Sequence, residues 1–322
     1  MKKALITGVT GSGGSYLAEH LVNQHLEVHG ISRLRTTAHC KNLKKVEDKV
    51  TIHHVDLCDL ASLFRCLSKL KPDYIFHIAS MANVRDSFEN PITIVNNNIN
   101  ITLNLLEAVR ILKEKEGYNP RIQICSTSEV YGEVDPKNIP IKEDCPLNPA
   151  SPYAVSKLSQ DKLSQVYYWS YGLDIIRTRM FAYFNARRGD LFSTSFARQI
   201  MDIKRGYRKT LKHGNLNSER VLIDVRDAVS AYWFAMKKCR SGQAYNIGGE
   251  TSTSVGDILK MLIDKSGIEI NCEQDPLLIR PKDITLQIPD SSKFKNETGW
   301  APKYSLSESL DFFLEEVELF YA

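Results

Sequence analysis

Two side chains suited to acid–base chemistry, Tyr153 and Lys157, stand four residues apart in the segment Ser-Pro-Tyr-Ala-Val-Ser-Lys. Ser151 can cap a helix and Pro152 suits its first turn, so both side chains should lie one turn apart on one helix face. A lysine ammonium beside a phenol stabilises the phenolate and lowers the tyrosine pKa from about 10, which would let Tyr153 act as a base. The same spacing also fits a solvated lysine packed along an aromatic ring.

A polar cluster upstream, formed by Thr127, Ser128 and Glu129, is a candidate partner for that tyrosine. The cluster follows an apolar run that ends at Ile124, which predicts a buried parallel strand. Ligands of open α/β sheets bind outside the carboxyl ends of such strands, so we predict that the cluster and Tyr153 share one site. Glu129 is then either a catalytic base or a cap for a nearby helix.

A glycine-rich turn near the start of the chain has the arrangement of a dinucleotide-binding site. Gly8, Gly11 and Gly14 stand between a short apolar strand (residues 1–6) and an amphipathic helix (residues 15–24). Glycines there permit a tight turn and a close approach of the backbone to a pyrophosphate, and the helix N-terminus offers N–H groups and a positive dipole end. The order of strand, glycines and helix therefore predicts a bound dinucleotide.

A basic residue marks the place where the cofactor ribose should lie. The next predicted strand, residues 27–32, ends at Arg33, where an NAD site normally carries an acidic residue for the ribose 2′-hydroxyl. Arginine favours a 2′-phosphate, so we expect NADP rather than NAD; a solvated surface arginine is the alternative. The predicted cofactor-binding residues are Gly8, Thr10, Gly11, Gly13, Gly14, Arg33, Asp56, Leu57, Ala79 and Ser80, together with Tyr153 and Lys157.

Strands alternate with helices through about residue 180, which predicts an α/β fold with a doubly wound parallel sheet of the Rossmann type. The later pattern is less regular and could close over a second ligand. We predict a cofactor domain of residues 1–178 and 220–250, and a smaller mixed α/β substrate lobe of residues 179–219 and 251–322. Further strands are expected at residues 50–55, 74–78, 173–179, 221–225 and 243–247, and further helices at 61–70, 101–113, 193–204, 227–237, 254–265 and 307–318.

Composition excludes several other classes of protein. The 322 residues are 43% hydrophobic and carry a formal charge of +4, too small and dispersed to indicate nucleic-acid binding. The seven cysteines are odd in number and lack C-x-x-C spacing, which indicates a reducing cytoplasm and no zinc cluster or other metal site. No apolar run approaches the length of a membrane span.

The glycine turn, the Tyr-x-x-x-Lys spacing and the length of the chain resemble an extended short-chain dehydrogenase/reductase. Within that superfamily, residues 126–132 (Ser-Thr-Ser-Glu-Val-Tyr-Gly) are similar to the Ser-Thr-Ser-Glu-x-Tyr/Phe-Gly motif of GDP-mannose 4,6-dehydratases, whereas thymidine-linked dehydratases have aspartate at the position of Ser128. Further matches are Arg187-Arg188-Gly189, Gly214-Asn215-Leu216 with Arg220, Arg280-Pro281 with Asp290, and Gly299-Trp300.

The resemblance implies a reaction in which the cofactor is regenerated. Tyr153 would take the proton of the sugar 4-hydroxyl while a hydride leaves C4 for NADP⁺, and Glu129 would remove the C5 proton and protonate the departing 6-hydroxyl before the hydride returns to C6. Thr127 would bind the 4-oxygen, Lys157 the nicotinamide ribose and Ser128 the 6-hydroxyl.

The resemblance also implies a substrate-binding set and a homodimer or homotetramer. The substrate-binding residues would be Ser87, Asn185, Arg187, Asn215, Arg220 and Arg280. The chain departs from the family at Val221-Leu222, where Asp-Trp is usual, and at Met81 and Asn83, where glutamine or glutamate and histidine are common. GDP-mannose is the family substrate, and GDP-N-acetylglucosamine, as in legionaminic acid synthesis, and a GDP-heptose are the alternatives.

Three other functions fit part of the pattern. A nucleotide-sugar 4-epimerase shares the cofactor fold, Tyr153 and Lys157 but needs no base at C5, so Glu129 is the discriminating residue. A 4-keto-sugar reductase would consume NADPH in each cycle. A non-catalytic NADP-sensing protein need not keep the tyrosine, lysine and glutamate together.

Overall fold

The computed structural model describes residues 1–33, 41–279 and 286–321. Its strands are β1 (Lys3–Thr7), β2 (Glu27–Ser32), β3 (Val50–His54), β4 (Tyr74–His77), β5 (Arg121–Thr127), β6 (Ile175–Met180), β7 (Thr210–His213), β8 (Glu219–Val221), β9 (Ala244–Ile247), β10 (Ser252–Ser254), β11 (Asn271–Gln274) and β12 (Leu286–Gln287). Its helices are α1 (Ser12–Asn23), α2 (Leu60–Leu70), α3 (Val84–Glu89), α4 (Pro91–Glu116), α5 (Pro152–Tyr171), α6 (Phe192–Lys204), α7 (Val225–Lys238), α8 (Val255–Ser266), α9 (Ser292–Thr298) and α10 (Leu306–Tyr321). No helix in these three ranges is long and apolar enough to cross a membrane.

A parallel sheet of seven strands forms the centre of the described chain and confirms the predicted fold class. The strand order is β3-β2-β1-β4-β5-β6-β9, so the order reverses beside β1, where ligands of doubly wound sheets bind. Helices α1 and α7 pack on one face and α2, α4 and α5 on the other, and each face has its own apolar core. The carboxyl ends of β1, β4 and β5 therefore meet at one edge.

Several elements differ from their sequence-based predictions. Helix α4 begins at Pro91 rather than at residue 101, and its polar first half is held by buried Asn98, whose amide binds both the N–H and the carbonyl of Met81 at 2.8 and 3.0 Å. Apolar periodicity does not reveal such a helix. The predicted strand at 221–225 ends at Val221, because Asp224 caps α7 by accepting from the Arg226 N–H. Helices α3 and α9 and strands β7, β10, β11 and β12 were not predicted.

A second group of elements follows β6. Strands β10, β8 and β12 form a small mixed sheet, β11 pairs with β7, and α6, α8 and α10 enclose a third apolar core. The predicted domain boundary differs from the packing at two places. Strand β8 belongs to the small sheet, and Phe294 and Trp300 lie in the core beneath α1 and α7 rather than in the second lobe.

The ion-paired carboxylate of Asp161 on α5 is expected to be a major source of stability. It is fully buried and binds Arg177 and Arg179 of β6 at 2.8 and 3.0 Å. Burial raises the pKa of Asp161, but the two guanidinium charges outweigh burial and hold it below its usual range. Asp161→Asn leaves both cations without a counter-charge, so we expect urea denaturation to show a loss of about 3–5 kcal/mol.

The matched control is Asp174→Asn, because Asp174 forms a partly exposed ion pair with Arg121. Its replacement is expected to cost less than about 1 kcal/mol. Equal losses in the two variants would contradict the role given to Asp161.

Candidate active site

A cavity of about 1140 Å³ opens at the carboxyl ends of the parallel strands. One side of the cavity is formed by the glycine turn and by Ala79, Thr127 and Tyr153, and the other by residues of the second lobe such as His213 and Arg220. The cavity is therefore long enough to contact both the switch point of the sheet and the small mixed sheet. Among the described residues, no group of three or more histidine, cysteine, aspartate or glutamate side chains is arranged to hold a metal ion.

The glycine turn forms a cradle that larger side chains would fill. Gly8 has a φ of 72°, and a Cβ there would lie 2.8 Å from the Cα of Ala79. A Cβ at Gly14 would lie 2.3 Å from the Gly8 carbonyl oxygen. Gly11 begins α1 without a side-chain cap, so the first-turn N–H groups are available to an anion. The backbone here fits the pyrophosphate of a dinucleotide.

Two buried hydroxyls support the same fit. Ser80 Oγ and Ser126 Oγ line the cavity and have no hydrogen-bond partner within the described ranges. Buried hydroxyls are rarely left unsatisfied, so both indicate a polar group that binds in this cavity. The predicted cofactor residues Thr10, Gly13, Arg33, Asp56 and Leu57 line it as well, and Ser32, Lys41, Asn42 and His54 lie at the same end but were not predicted.

Replacement of Gly14 by alanine is expected to weaken dinucleotide binding at least about tenfold. The new methyl group would overlap the Gly8 carbonyl, so the turn must open and the N–H groups move. Isothermal titration with NADPH measures the effect. Gly256→Ala in α8 is the control, because a Cβ there meets its nearest atom at 3.4 Å, and unchanged affinity is expected. Wild-type affinity in the Gly14 variant would contradict the cradle.

The cluster of Thr127, Ser128 and Glu129 sits on a turn beside the cavity. Thr127 ends β5 and its Oγ1 accepts from the Glu129 N–H at 3.3 Å, which begins a short 3₁₀ turn over Ser128–Tyr131. Gly132 closes the turn at a φ of 62°, where a Cβ would lie 1.8 Å from the Asn148 carbonyl oxygen. Thr127, Ser128 and Glu129 all line the cavity.

Tyr153 and Lys157 occupy the predicted helix face. Ser151 Oγ caps α5 by accepting from the Ala154 N–H at 3.1 Å, as predicted. Lys157 donates to the Cys125 carbonyl, and burial lowers the pKa of its ammonium. Burial raises the pKa of Tyr153 above its ordinary value, and Arg188 is the positive charge that opposes this rise. The expectation that Lys157 lowers the pKa of Tyr153 stays a prediction, and the contact that the structure gives the ammonium is the Cys125 carbonyl.

The predicted substrate-binding residues divide into two groups. Asn215 and Arg220 line the cavity, whereas Ser87, Asn185 and Arg187 do not. Ser87 is fully buried and donates to the Val84 carbonyl at 2.6 Å within α3. Asn185 is also fully buried, and its Oδ1 accepts from the Arg187 N–H. Arg280 lies outside the described residues.

Arg187 does not line the cavity and makes contacts within the protein instead. Its guanidinium lies over the Tyr16 ring and donates to Ser15 Oγ, the Asn42 carbonyl and Glu19, so it joins the second lobe to α1. The Arg-Arg-Gly motif led to the choice of Arg187, but the structure turns the side chains of the two adjacent arginines in different directions. Arg188 lines the cavity instead.

The structure adds cavity residues that sequence reasoning missed. Arg188 donates to the Ala82 carbonyl and pairs with Asp190, and buried Gln287 of β12 contacts Ser128. Arg188 was visible in the motif but was not selected. No sequence signal indicated Gln287, which lies more than one hundred and fifty positions from Ser128. Tyr183, Lys212 and His213 also line the cavity.

Loss of the Arg188 charge is expected to move the pH dependence of the reaction. This cation lowers the pKa of Tyr153, so Arg188→Met raises that pKa and reduces the deprotonated fraction at any given pH. The acidic limb of the rate profile should therefore move to higher pH, as measured by initial rates between pH 6 and 10. Arg198→Met, which removes an arginine that lies over Tyr321 away from the cavity, should leave the limb in place. A shift to lower pH would contradict the assignment.

Known proteins are similar to this chain in sequence and in fold. The sequence profile of the family described as GDP-mannose 4,6 dehydratase matches residues 5–311. The GDP-mannose 4,6-dehydratase of Yersinia enterocolitica is 31% identical, over 96% of this chain and 91% of its own length. RMD from Pseudomonas aeruginosa, complexed with NADPH, is 26% identical with a TM-score of 0.83 over 99% of both chains. UDP-glucuronic acid 4-epimerase from Bacillus cereus, in complex with UDP-glucuronic acid and NAD, is 28% identical with a TM-score of 0.85 over 99% of this chain and all of that one.

The Rossmann-type sheet, the glycine turn and the Tyr-x-x-x-Lys helix define an extended short-chain dehydrogenase/reductase. Within that class, the chain belongs to the GDP-mannose 4,6-dehydratase family.

Proposed function

We propose that the protein is a GDP-sugar 4,6-dehydratase, which converts a GDP-hexose to its 4-keto-6-deoxy form. One observation carries the proposal: Glu129 and Tyr153 line the same cavity at the carboxyl end of β5. Oxidation at C4 needs one base, and loss of water across C5 and C6 needs a second. Family membership supports the same reaction.

Each residue of the cluster has a separate role in this proposal. A bound nicotinamide would supply the hydride chemistry, that is, hydride acceptance at C4 of the sugar and hydride return at C6. Tyr153 takes the proton of the 4-hydroxyl, Thr127 binds the 4-oxygen, and Lys157 binds the nicotinamide ribose. The 4-keto group makes the C5 proton acidic, so Glu129 removes it and then transfers it to the departing 6-hydroxyl, which Ser128 orients. As the hydride adds to C6, a proton returns to C5 and replaces the one lost with water. The proton that Tyr153 took from the 4-hydroxyl balances it, so the sum is loss of one water with no net oxidation.

The preferred cofactor in this proposal is NADP. Arg33 lies at the end of β2 and lines the cavity, where it can bind a 2′-phosphate. The NADPH complex of RMD from Pseudomonas aeruginosa supports this choice, and the NAD complex of the Bacillus cereus epimerase represents the alternative. Cofactor released from the purified protein by heat and identified by mass distinguishes them.

The preferred substrate is GDP-mannose, with GDP-N-acetylglucosamine and a GDP-heptose as alternatives. Arg220 and Asn215 line the second-lobe end of the cavity and are suited to the nucleotide diphosphate. Met81 and Asn83 line the part near α3, so a sugar substituent can contact residues that the family does not commonly have there. A cytoplasmic location and a homodimer or homotetramer belong to the same proposal and remain predictions.

A nucleotide-sugar 4-epimerase is the second candidate, and the likeness to the Bacillus cereus epimerase favours it. The presence of Glu129 in the cavity argues for the dehydratase, because epimerisation at C4 needs no base at C5. A 4-keto-sugar reductase and a non-catalytic NADP-sensing protein are less consistent with the complete cluster.

The test is incubation of the purified protein, with NADP⁺ added, against GDP-mannose, GDP-N-acetylglucosamine and a GDP-heptose, with UDP- and TDP-sugars as controls. Loss of the mass of one water from a GDP-sugar supports the dehydratase and identifies its substrate. An unchanged mass with altered sugar stereochemistry would establish an epimerase. Consumption of NADPH with a 4-keto sugar would establish a reductase.

A further inference from the structure

The side chain of Gln287 reaches the catalytic cluster from a distant part of the chain. Ser128 Oγ donates to Gln287 Oε1 at 2.9 Å, and Gln287 Nε2 faces the Ser128 carbonyl at 3.5 Å. Both residues are 4% exposed and both line the cavity. The two contacts together fix which end of the amide faces the serine hydroxyl. The serine hydroxyl is therefore the donor of this hydrogen bond and the amide oxygen is the acceptor.

The direction of this hydrogen bond determines whether Ser128 can donate to a ligand or accept from it. A serine hydroxyl has one proton to donate and two lone pairs to accept. Because the proton is directed to Gln287, the lone pairs are what Ser128 presents to the cavity. A sugar hydroxyl that contacts Ser128 must therefore donate its own proton, and its oxygen lone pairs then point away from the serine.

Gln287 is held rigidly enough to impose this orientation. Strand β12 pairs in parallel with β8, with Gln287 opposite Arg220, so the two side chains lie on the same face of the small sheet. Just beyond β12, Ile141 donates to the Ile288 carbonyl and Asp290 donates to the Ile141 carbonyl, both at 2.8 Å. The strand is thus anchored to both lobes on either side of the cavity.

We propose that Gln287 is a positioning residue for water loss: it commits the Ser128 proton, so that the sugar 6-hydroxyl donates to Ser128 Oγ and presents a lone pair to the protonated Glu129 carboxyl. The inference rests on the proposed dehydratase function. Gln287 also pairs in register with Arg220. One pair of strands therefore carries both the arginine suited to the substrate diphosphate and the glutamine that orients the leaving oxygen.

The experiment measures binding in a Tyr153→Phe background, where the ligand is not turned over. Dissociation constants are compared for GDP-mannose and its 6-deoxy analogue, which lacks only the 6-hydroxyl. One hydrogen bond predicts about fivefold tighter binding of GDP-mannose. With Gln287→Leu or Gln287→Met, the serine hydroxyl is no longer held in one orientation, so its ordered contact with the 6-hydroxyl weakens and the preference should fall below about twofold. Gln287→Glu keeps an acceptor for that proton and should restore the preference.

Gln123→Leu is the matched control. Gln123 is a fully buried glutamine on β5, the same strand that leads to Ser128, and it also bonds a hydroxyl, that of Thr178 at 2.7 Å. Its replacement should leave the fivefold preference unchanged. A retained preference in Gln287→Leu, or an equal loss in Gln123→Leu, would overturn the proposal.

A kinetic readout separates this step from the rest of the reaction. In a single turnover, absorbance of reduced nicotinamide should rise at the wild-type rate in Gln287→Leu but decay about tenfold more slowly, because only water loss is affected. An equal slowing of both phases would count against the proposal. Dehydration by the wild-type protein is tested first, by product mass. If that protein removes water from no GDP-sugar, the proposed function is refuted, and this outcome is distinct from failure of the Gln287 proposal.

Discussion

Replacing Tyr153 with phenylalanine is expected to reduce the rate of GDP-sugar dehydration by about 10²–10⁴-fold. The ring remains packed at the start of α5, where the residue is 8% exposed, so only the hydroxyl is lost. Without it, no group at this position accepts the proton of the 4-hydroxyl, and the first oxidation stops. Initial rates of product formation, followed by mass, measure the effect, and bound nicotinamide should stay oxidised.

Tyr167→Phe provides the matched control for that variant. Tyr167 lies on the same helix, is also buried, and donates its hydroxyl proton to Glu107 outside the cavity. Its replacement removes one hydroxyl and one hydrogen bond without touching the site, so the rate should stay within about twofold of wild type. A Tyr153→Phe protein with more than about a tenth of wild-type activity would show that another group takes the proton.

Replacing Glu129 with glutamine is expected to stop the reaction after the first hydride transfer. Glutamine keeps the shape of the side chain but cannot remove the C5 proton, so water loss should slow by about 10²–10⁴-fold while oxidation at C4 continues. In stopped-flow experiments, absorbance of reduced nicotinamide should rise and persist. Solvent deuterium should no longer enter C5 of the sugar.

This second variant also distinguishes the dehydratase from an epimerase. An epimerase needs no base at C5, so it would keep its activity in Glu129→Gln. Glu143→Gln is the control, because the Glu143 carboxylate accepts from the Asn246 N–H and does not line the cavity. A rapid decay of the reduced nicotinamide signal in Glu129→Gln would remove Glu129 from the mechanism.

Local sequence patterns predicted the geometry of the glycine turn and the start of the helix that carries Tyr153. The glycine turn depends on a few consecutive residues, and the observed φ of Gly8 and the contact at Gly14 are what those glycines permit. The helix that carries Tyr153 begins where Ser151 and Pro152 indicated, because a cap and a first-turn proline act within one turn. Such features are set by neighbours in the chain, so the chain alone reveals them.

Tertiary contacts determine the side-chain positions that local sequence patterns do not reveal. Arg187 and Arg188 have the same chemistry and are adjacent, and only the packing of Tyr16 and α1 assigns Arg187 to the lobe contact. Lys157 has the predicted spacing from Tyr153, but its ammonium donates a hydrogen bond to the Cys125 carbonyl near the end of β5. Gln287 lies in a strand of two residues with no periodicity, so its contact with Ser128 follows from the fold alone.

The core beneath α1 and α7 contains residues from both ends of the chain, including Ala4, Leu17 and Trp300. During translation this core stays incomplete until Trp300 has emerged from the ribosome. Until then part of the apolar surface of α1 and of the sheet stays exposed. Chaperones bind such exposed apolar surfaces, which otherwise aggregate. The cofactor half of this protein therefore matures at the end of its synthesis, although most of it is made first.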